Sequence, residues 1–298
     1  MRIGGLDVLF DSLQRQTYRD FELILSDCLW GHRAALVEDK AKDYIFPVRH
    51  VEPRRNLFPI NAFCVCANEG LVHASGEIAF MAVDYTWFGP RCLEMHASFH
   101  DDPANVRTGL TGPHQYRLPP VLRNGVAYAG VEVYDDSQTD QYARDVASGL
   151  HNGSMWSVFG QNFEYIEDLG IDGSLRDPKM AWASGPCGTR GFYAKNDSLR
   201  LSYLVEVNGW DEALDGSHGY QDWDLAGRLT TKLGISWYHD RMNVVDIVNM
   251  RRVLPCGKRL RPCSDNEAMW RRNGEDGYPL PSGRSLAAER AGMVLHVH

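Results

Sequence analysis

The sequence predicts an α/β protein with a mostly parallel central sheet flanked by helices. Three observations predict it. Apolar runs at 21–26 and 78–83 are the length of buried strands. Longer helix-like stretches separate them, and strands alternating with helices build parallel sheets. Both runs end on an aspartate, Asp27 and Asp84, and in open α/β sheets ligands sit at the carboxyl ends of strands.

The elements follow in order. Leu6, Leu9, Phe10 and Leu13 mark one face of a first helix, with Asp7 in its first turn. Phe21–Ser26 reads as a buried strand, 31–42 as a helix and Tyr44–Val48 as a short strand. Residues 60–74 form an apolar helix that stops near Ser75-Gly76, and Ile78–Val83 is the next buried strand. The stretch 100–180 is less regular. Gly125–Tyr134 alternates like a strand, and 154–169 reads as a helix carrying Trp156, Phe159, Phe163 and Ile166 as core residues. Gly185, Gly188 and Gly191 make a loop without the Lys-Ser/Thr ending of a phosphate-binding loop. Residues 197–207 read as a helix leading to the turn Gly209-Trp210-Asp211-Glu212. A helix over Leu225–Leu233 and a strand over Ile235–His239 complete the domain.

After about 250 the composition changes. Arg251, Arg252, Lys258, Arg259 and Arg261 cluster among prolines, and the last forty or so residues are polar with a short helix at 285–291. This segment is expected to pack on the domain or to move over its site. The 298 residues are therefore divided into a single domain over 1–250 and a C-terminal extension over 251–298.

A net charge of −8 argues against a nucleic-acid scaffold. No apolar run approaches the roughly 20 residues of a membrane helix. No basic-then-apolar leader is present, so a cytoplasmic location is expected. The 7 cysteines include no Cys-x-x-Cys pair and read as free thiols rather than zinc ligands.

The densest chemistry lies in Gly209–Glu212 and Gln221-Asp222-Trp223-Asp224-Leu225. Asp222 and Asp224 stand two apart at a helix entrance, where carboxylates can hold a metal, a sugar hydroxyl or a proton in transit. The plainer role for the same acids is helix capping. For Asp27 and Asp84 it is turn initiation.

Taken in order, these segments resemble the GT-A glycosyltransferases, in particular the family 2 type with a galactosyltransferase-like C-terminal region. The resemblance rests on Gly5–Ile24 with its Gln16-Thr17-Tyr18, and on Asn68-Glu69-Gly70-Leu71 with Ala74-Ser75-Gly76-Glu77. It rests further on Ile78–Asp84 in the place of the strand ending in DxD, and on Gly209–Glu212 and Gln221–Asp224. It covers about 4–95 and 185–248.

What the resemblance implies is a Rossmann-like GT-A fold with a nucleotide-sugar half near 1–100 and an acceptor half near 101–250. Asp27 would hydrogen-bond the base, Asn68 would line the donor pocket, and Asp84 would reach a Mn²⁺ or Mg²⁺ ion on the diphosphate. Asp222 would be the general base. Trp210 and Trp223 would stack on sugar rings, Asp211 and Glu212 would orient the acceptor, and Asp224 would join them. His239 and Asp246 are further candidate metal ligands. The implied donor is a UDP- or GDP-sugar, and the acceptor is a glycan or another hydroxyl, with nucleic acid entering only as a modified-base acceptor. The expected chemistry is inverting and metal-assisted.

The chain departs from the family in three places. The DxD position reads Ala82-Val83-Asp84, Gln221 replaces the usual Glu, and the family's first strand has no counterpart. Two alternatives follow. One is a non-catalytic GT-A-like nucleotide- or glycan-binding protein with a degenerate donor site. The other is a nucleotidyltransferase, disfavoured because no Gly-rich loop with a following Lys or Arg stands near the start.

Overall fold

Leu6, Leu9, Phe10 and Leu13 are all buried on one face of the first helix, α1 (Leu6–Gln14). A computed structural model of the chain describes residues 6–60, 62–84, 86–117, 175–176, 183–243, 245–248 and 259–294. The strand expected at Gly125–Tyr134, the helix at 154–169 and the basic residues Arg251, Arg252 and Lys258 lie outside these residues.

Strand and helix alternate as the pattern predicts up to Met81, and a strand and a helix that it does not predict follow over 86–101. β1 (Leu23–Ser26), α2 (Trp30–Ala41), β2 (Val48–Val51), α3 (Phe63–His73), β3 (Ile78–Met81), β4 (Thr86–Phe88) and α4 (Cys92–Asp101) follow one another. Then come β5 (Thr108–Thr111), β6 (His114–Arg117), β7 (Leu175–Arg176), β8 (Gly185–Cys187), β9 (Asp197–Arg200) and α5 (Leu201–Glu206). The chain continues with α6 (Gln221–Leu233), β10 (Ser236–His239), β11 (Val245–Val248), α7 (Cys263–Glu275) and α8 (Leu286–Val294). No helix among the described residues is long and apolar enough to cross a membrane.

The α/β class stands, with a mixed rather than mostly parallel sheet. The five-stranded sheet runs β3-β9-β5-β10-β8, beside a four-stranded sheet β4-β11-β6-β7 and the parallel pair β1-β2. β5 and β10 are parallel, as are β6 and β11, but β9 lies antiparallel between β3 and β5. Asp197–Arg200 is thus a strand, not the start of the helix expected over 197–207. The edges of β3 and β5 both need backbone partners, and this segment supplies them while Asp197, Ser198 and Leu199 become fully buried.

A second correction concerns Tyr44–Val48. The strand starts only at Val48, because Tyr44 and Phe46 turn inward onto Phe10 at ring distances of 5.1 and 6.0 Å. Pro47 contributes only its carbonyl, which accepts from Leu23 N.

Two apolar cores result. One gathers α1 with Phe46, Phe88 and Val245; the other gathers Leu71, Leu204, Trp210, Leu225, Leu229 and Leu286. Register places Met81, Asp197, Thr111, His239 and Gly185 in one row across the five-stranded sheet. The carboxyl ends of β3, β5 and β10 therefore share an edge, and Asp84 follows β3 on that edge.

Candidate functional site

Asp27 directly follows β1, and its carboxylate is fully engaged. Oδ1 accepts from Leu29 N at 2.6 Å, and Oδ2 accepts from Arg33 Nε at 2.9 Å and from His50 Nε2 at 2.8 Å. Burial raises this carboxyl, but the His50 hydrogen bond and the Arg33 charge outweigh it and hold it below its ordinary value. Arg33 reaches on, donating from its second nitrogen to Asp84 Oδ2 at 2.8 Å. The guanidinium is 2% exposed and the Asp84 side chain 25%. Burial opposes the charge on Arg33, yet Asp84 and Asp27 raise its pKa above the ordinary value. One arginine therefore bridges the two strand-end aspartates.

The second group centres on α6. Tyr220, in a left-handed conformation with φ 69°, turns the chain into the helix. Asp222 and Asp224 thus fall within the first turn, where carboxylates favour the helix dipole without being the cap. Asp222 is half-buried and accepts from Trp210 Nε1 at 3.2 Å. Asp224 is fully buried. Its oxygens meet Arg228, one turn along, and Asn273 Nδ2 at 2.7 Å, so the fold itself uses this carboxylate.

Trp210 is 1% exposed, with Phe63 edge-on at 5.7 Å and Phe192 stacked at 6.4 Å. Its ring faces meet protein, and its N–H positions Asp222. Trp223 is half-buried among Tyr220, Trp270 and Tyr193, with the Arg190 guanidinium 5.4 Å from its ring centre. This aromatic group flanks Asp222 and draws Trp270 from α7.

Asp211 caps the short 3₁₀ turn Glu212–Leu214 through Ala213 N. Asn68 holds the same turn from α3. Its Nδ2 donates to Trp210 O at 2.9 Å and Glu212 Oε1 at 3.1 Å, and its Oδ1 accepts from Trp210 N at 2.8 Å. Gly209 has φ 63°, and a Cβ there would collide with Asn68 Oδ1 and Leu286, so the turn requires glycine. Asn68, Trp210, Asp211 and Glu212 together line a cavity of about 340 Å³. Arg54, Arg55 and Pro281–Arg284 also line it.

Asp215 holds the first turn of α3. Asp215 takes Cys64 N at 2.8 Å and Val65 N at 2.9 Å, and burial pushes its carboxyl up to about 6 despite these bonds. Burial, and then the charges of Asp215 and Asp222, hold the Cys64 thiol above its ordinary value. The C-terminal residues close the far side. Arg284 is 5% exposed and meets Glu69 at 2.9 Å, Glu212 at 2.9 Å and Glu289 at 2.7 Å.

The divalent cation implied by the resemblance does not fit these residues. Asp84 and Asp27 are committed to Arg33, and Ala82 stands where a further acid is needed. Among the described residues no group of three or more His, Cys, Asp or Glu side chains converges as metal ligands would. His239 is buried at the end of β10 near Thr111, with Nδ1 3.4 Å from Oγ1. Asp246 is the second residue of β11, in register with Trp87 and Gln115, and its side chain lies outside the described set.

Sequence reasoning missed Arg33, His50, Asp215, Trp270 and Arg284. Asp215 had a signal, since it ends the same turn as Glu212. Single basic or aromatic residues such as the others carry no motif.

No protein-family model and no curated protein sequence matches the chain. Solved structures do. TarS of S. aureus, residues 1–349, matches at a TM-score of 0.47 and 11% identity, over 82% of this chain and 56% of that one. The same fragment in complex with UDP-GlcNAc matches at 0.48 and 10% identity, over 83% and 55%. GalNAc-T7 with UDP, GalNAc and Mn²⁺ matches at 0.47 and 10%, over 83% and 41%. The chain spans between 41 and 56% of the length of these structures.

Proposed function

We propose that this chain is a GT-A-type glycosyltransferase that moves a sugar from a UDP- or GDP-sugar to an acceptor hydroxyl with inversion. The observation that carries the reading is the setting of Asp222. Its half-exposed carboxylate is held by Trp210 Nε1, beside a half-buried aromatic group of Tyr220, Trp223 and Trp270. The five ordered segments of the sequence support the same reading.

An acceptor hydroxyl is a weak nucleophile until its proton has somewhere to go. Asp222 takes that proton as the hydroxyl oxygen bonds to the anomeric carbon. The bond from that carbon to the diphosphate oxygen breaks, and the nucleoside diphosphate leaves with the electron pair. With the base on the face opposite the leaving group, the anomeric centre inverts. Trp223, Tyr220 and Trp270 supply flat apolar surface of the kind that packs against sugar rings, and Asp211 and Glu212 line the cavity wall.

Calorimetry with UDP and GDP, followed by assay of nucleoside diphosphate release from the sugar nucleotide of whichever binds, tests the reading. Binding with turnover supports it. Release of pyrophosphate would point instead to nucleotidyl transfer. The use of both strand-end aspartates by Arg33 favours one second reading, a GT-A-like binding protein without chemistry, which would bind nucleotide and never turn over.

A further inference from the structure

We infer that Arg33 takes the place of the divalent cation in this donor site, so that nucleotide binding is independent of metal. The inference rests on the glycosyltransferase reading for the word donor, and on the ion-pair geometry alone for the rest. Arg33 Nε lies 2.9 Å from Asp27 Oδ2, and its terminal nitrogen lies 2.8 Å from Asp84 Oδ2. These two carboxylates come from the ends of different strands, β1 and β3, and nothing in their local sequence obliges them to share a partner.

Three features make the guanidinium a fixture. It is 2% exposed, so it is not a surface side chain that wandered onto a carboxylate. It rises from α2, whose start is tied to Asp27 through Leu29 N. Its planar fork suits two acceptors at once, which an ammonium cannot match. Releasing Asp84 to a metal ion would leave a buried guanidinium with one carboxylate in place of two. Bringing a divalent ion in beside Arg33 would set about three positive charges against two carboxylates. Either arrangement is opposed by the charge balance already in place.

The missing acid agrees with this. A divalent cation needs several oxygen ligands, and Ala82 removes one that Asp84 alone does not replace. A single positive charge held by two carboxylates needs no third ligand. Charge requirement and ligand supply therefore match arginine and do not match a metal ion.

The test is a Mn²⁺ titration of the full chain followed by electron paramagnetic resonance, with the metal alone as probe. Wild type is expected to take up no Mn²⁺ saturably. Arg33→Gln, which keeps an amide donor but removes the charge, is expected to gain saturable uptake, and adding Asp84→Asn should abolish that gain. Nucleotide affinity of the wild type in EDTA and in Mn²⁺ should agree within about twofold, where a cation bridging the diphosphate would change it by about tenfold or more. Saturable Mn²⁺ uptake by wild type that Asp84→Asn removes would overturn the inference, as would nucleotide binding seen only with Mn²⁺. If Arg33→Gln does not fold, the wild-type titration still decides. If no nucleotide binds under any condition, the glycosyltransferase reading falls, while the metal titration judges Arg33 separately.

Discussion

Replacing Arg284 by methionine should loosen the C-terminal segment from the domain. The substitution keeps the aliphatic stem and removes the guanidinium. Arg284 is 5% exposed, and its three partners Glu69, Glu212 and Glu289 are 9, 16 and 25% exposed. Removing one member of a buried ion pair typically costs about 3–5 kcal/mol, because the other charge stays behind without compensation. All three glutamates keep a neighbour, Glu69 through His73 Nε2 at 3.3 Å and the backbone N–H of Arg54 at 3.2 Å. Glu212 retains Asn68 Nδ2 at 3.1 Å, and Glu289 retains the half-exposed Arg54 at 3.1 Å. The loss should therefore sit near the lower end, at about 3 kcal/mol. Urea unfolding at neutral pH measures it, with an unchanged slope showing that the same surface unfolds. Adding Glu69→Gln should recover part of the loss, since the liability is uncompensated charge. A loss below about 1 kcal/mol, the scale of exposed pairs, would show that water already reaches this cluster and would refute the reasoning.

Three further predictions follow from the same geometry. Asp222→Asn should lower transfer by about 10²–10⁴-fold with little change in the urea midpoint, because Asn still accepts from Trp210 Nε1; retained turnover would remove Asp222 from the mechanism. His96 and His100 share the Ser198 hydroxyl at 2.7 and 2.8 Å, and burial pushes them down to about 3 and about 4, from an ordinary 6.5. The unfolded chain therefore takes up these protons below pH 6.5 while the fold does not. Stability should be intact above that pH and fall towards pH 4 by about 1.4 kcal/mol per unit for each histidine. Urea midpoints between pH 7 and 5 should show it, and His100→Gln should reduce the slope. A Cβ at Gly227 would come within 2.7 Å of the Tyr278 hydroxyl, so Gly227→Ala should destabilise by about 1–3 kcal/mol despite better helix propensity. In a Tyr278→Ala background the same change should become neutral or stabilising by thermal melt.

The fold was legible where burial and period agree. α1, β1, α2, α3 and β10 carry their own patterns, and Gly234 at φ 66° ends α6 as a glycine after a periodic helix should. β9 was not legible, because Asp197-Ser198-Leu199-Arg200 reads equally as the first turn of a helix and becomes a strand only between β3 and β5. α7 was hidden by its polarity. Its inward side is built from Asn266, which bonds the Leu214 and Gly219 carbonyls, and from Asn273 on Asp224. The acids of the site were visible as residues, but not their partners. Asn68 and Trp210 stood out as ligand contacts, and the structure uses each to hold the turn beside Asp222. Asp224 and Arg228 are a local helical pair, but that Asp84 meets Arg33 across 51 residues of sequence is recorded in no local pattern.

The contacts of the last described helix also bear on how the chain is made. Arg290 donates to the carbonyls of Leu71, Val72 and Ala74, closing the end of α3, and Leu286 fills a core with Leu71 and Leu204. These contacts span more than two hundred residues. An emerging nascent chain that has already formed α3 must hold that helix end and part of its core open until α8 leaves the ribosome. Such long-range closure is slow and leaves apolar surface exposed meanwhile. The interval between making α3 and making α8 is when this protein should depend most on chaperones.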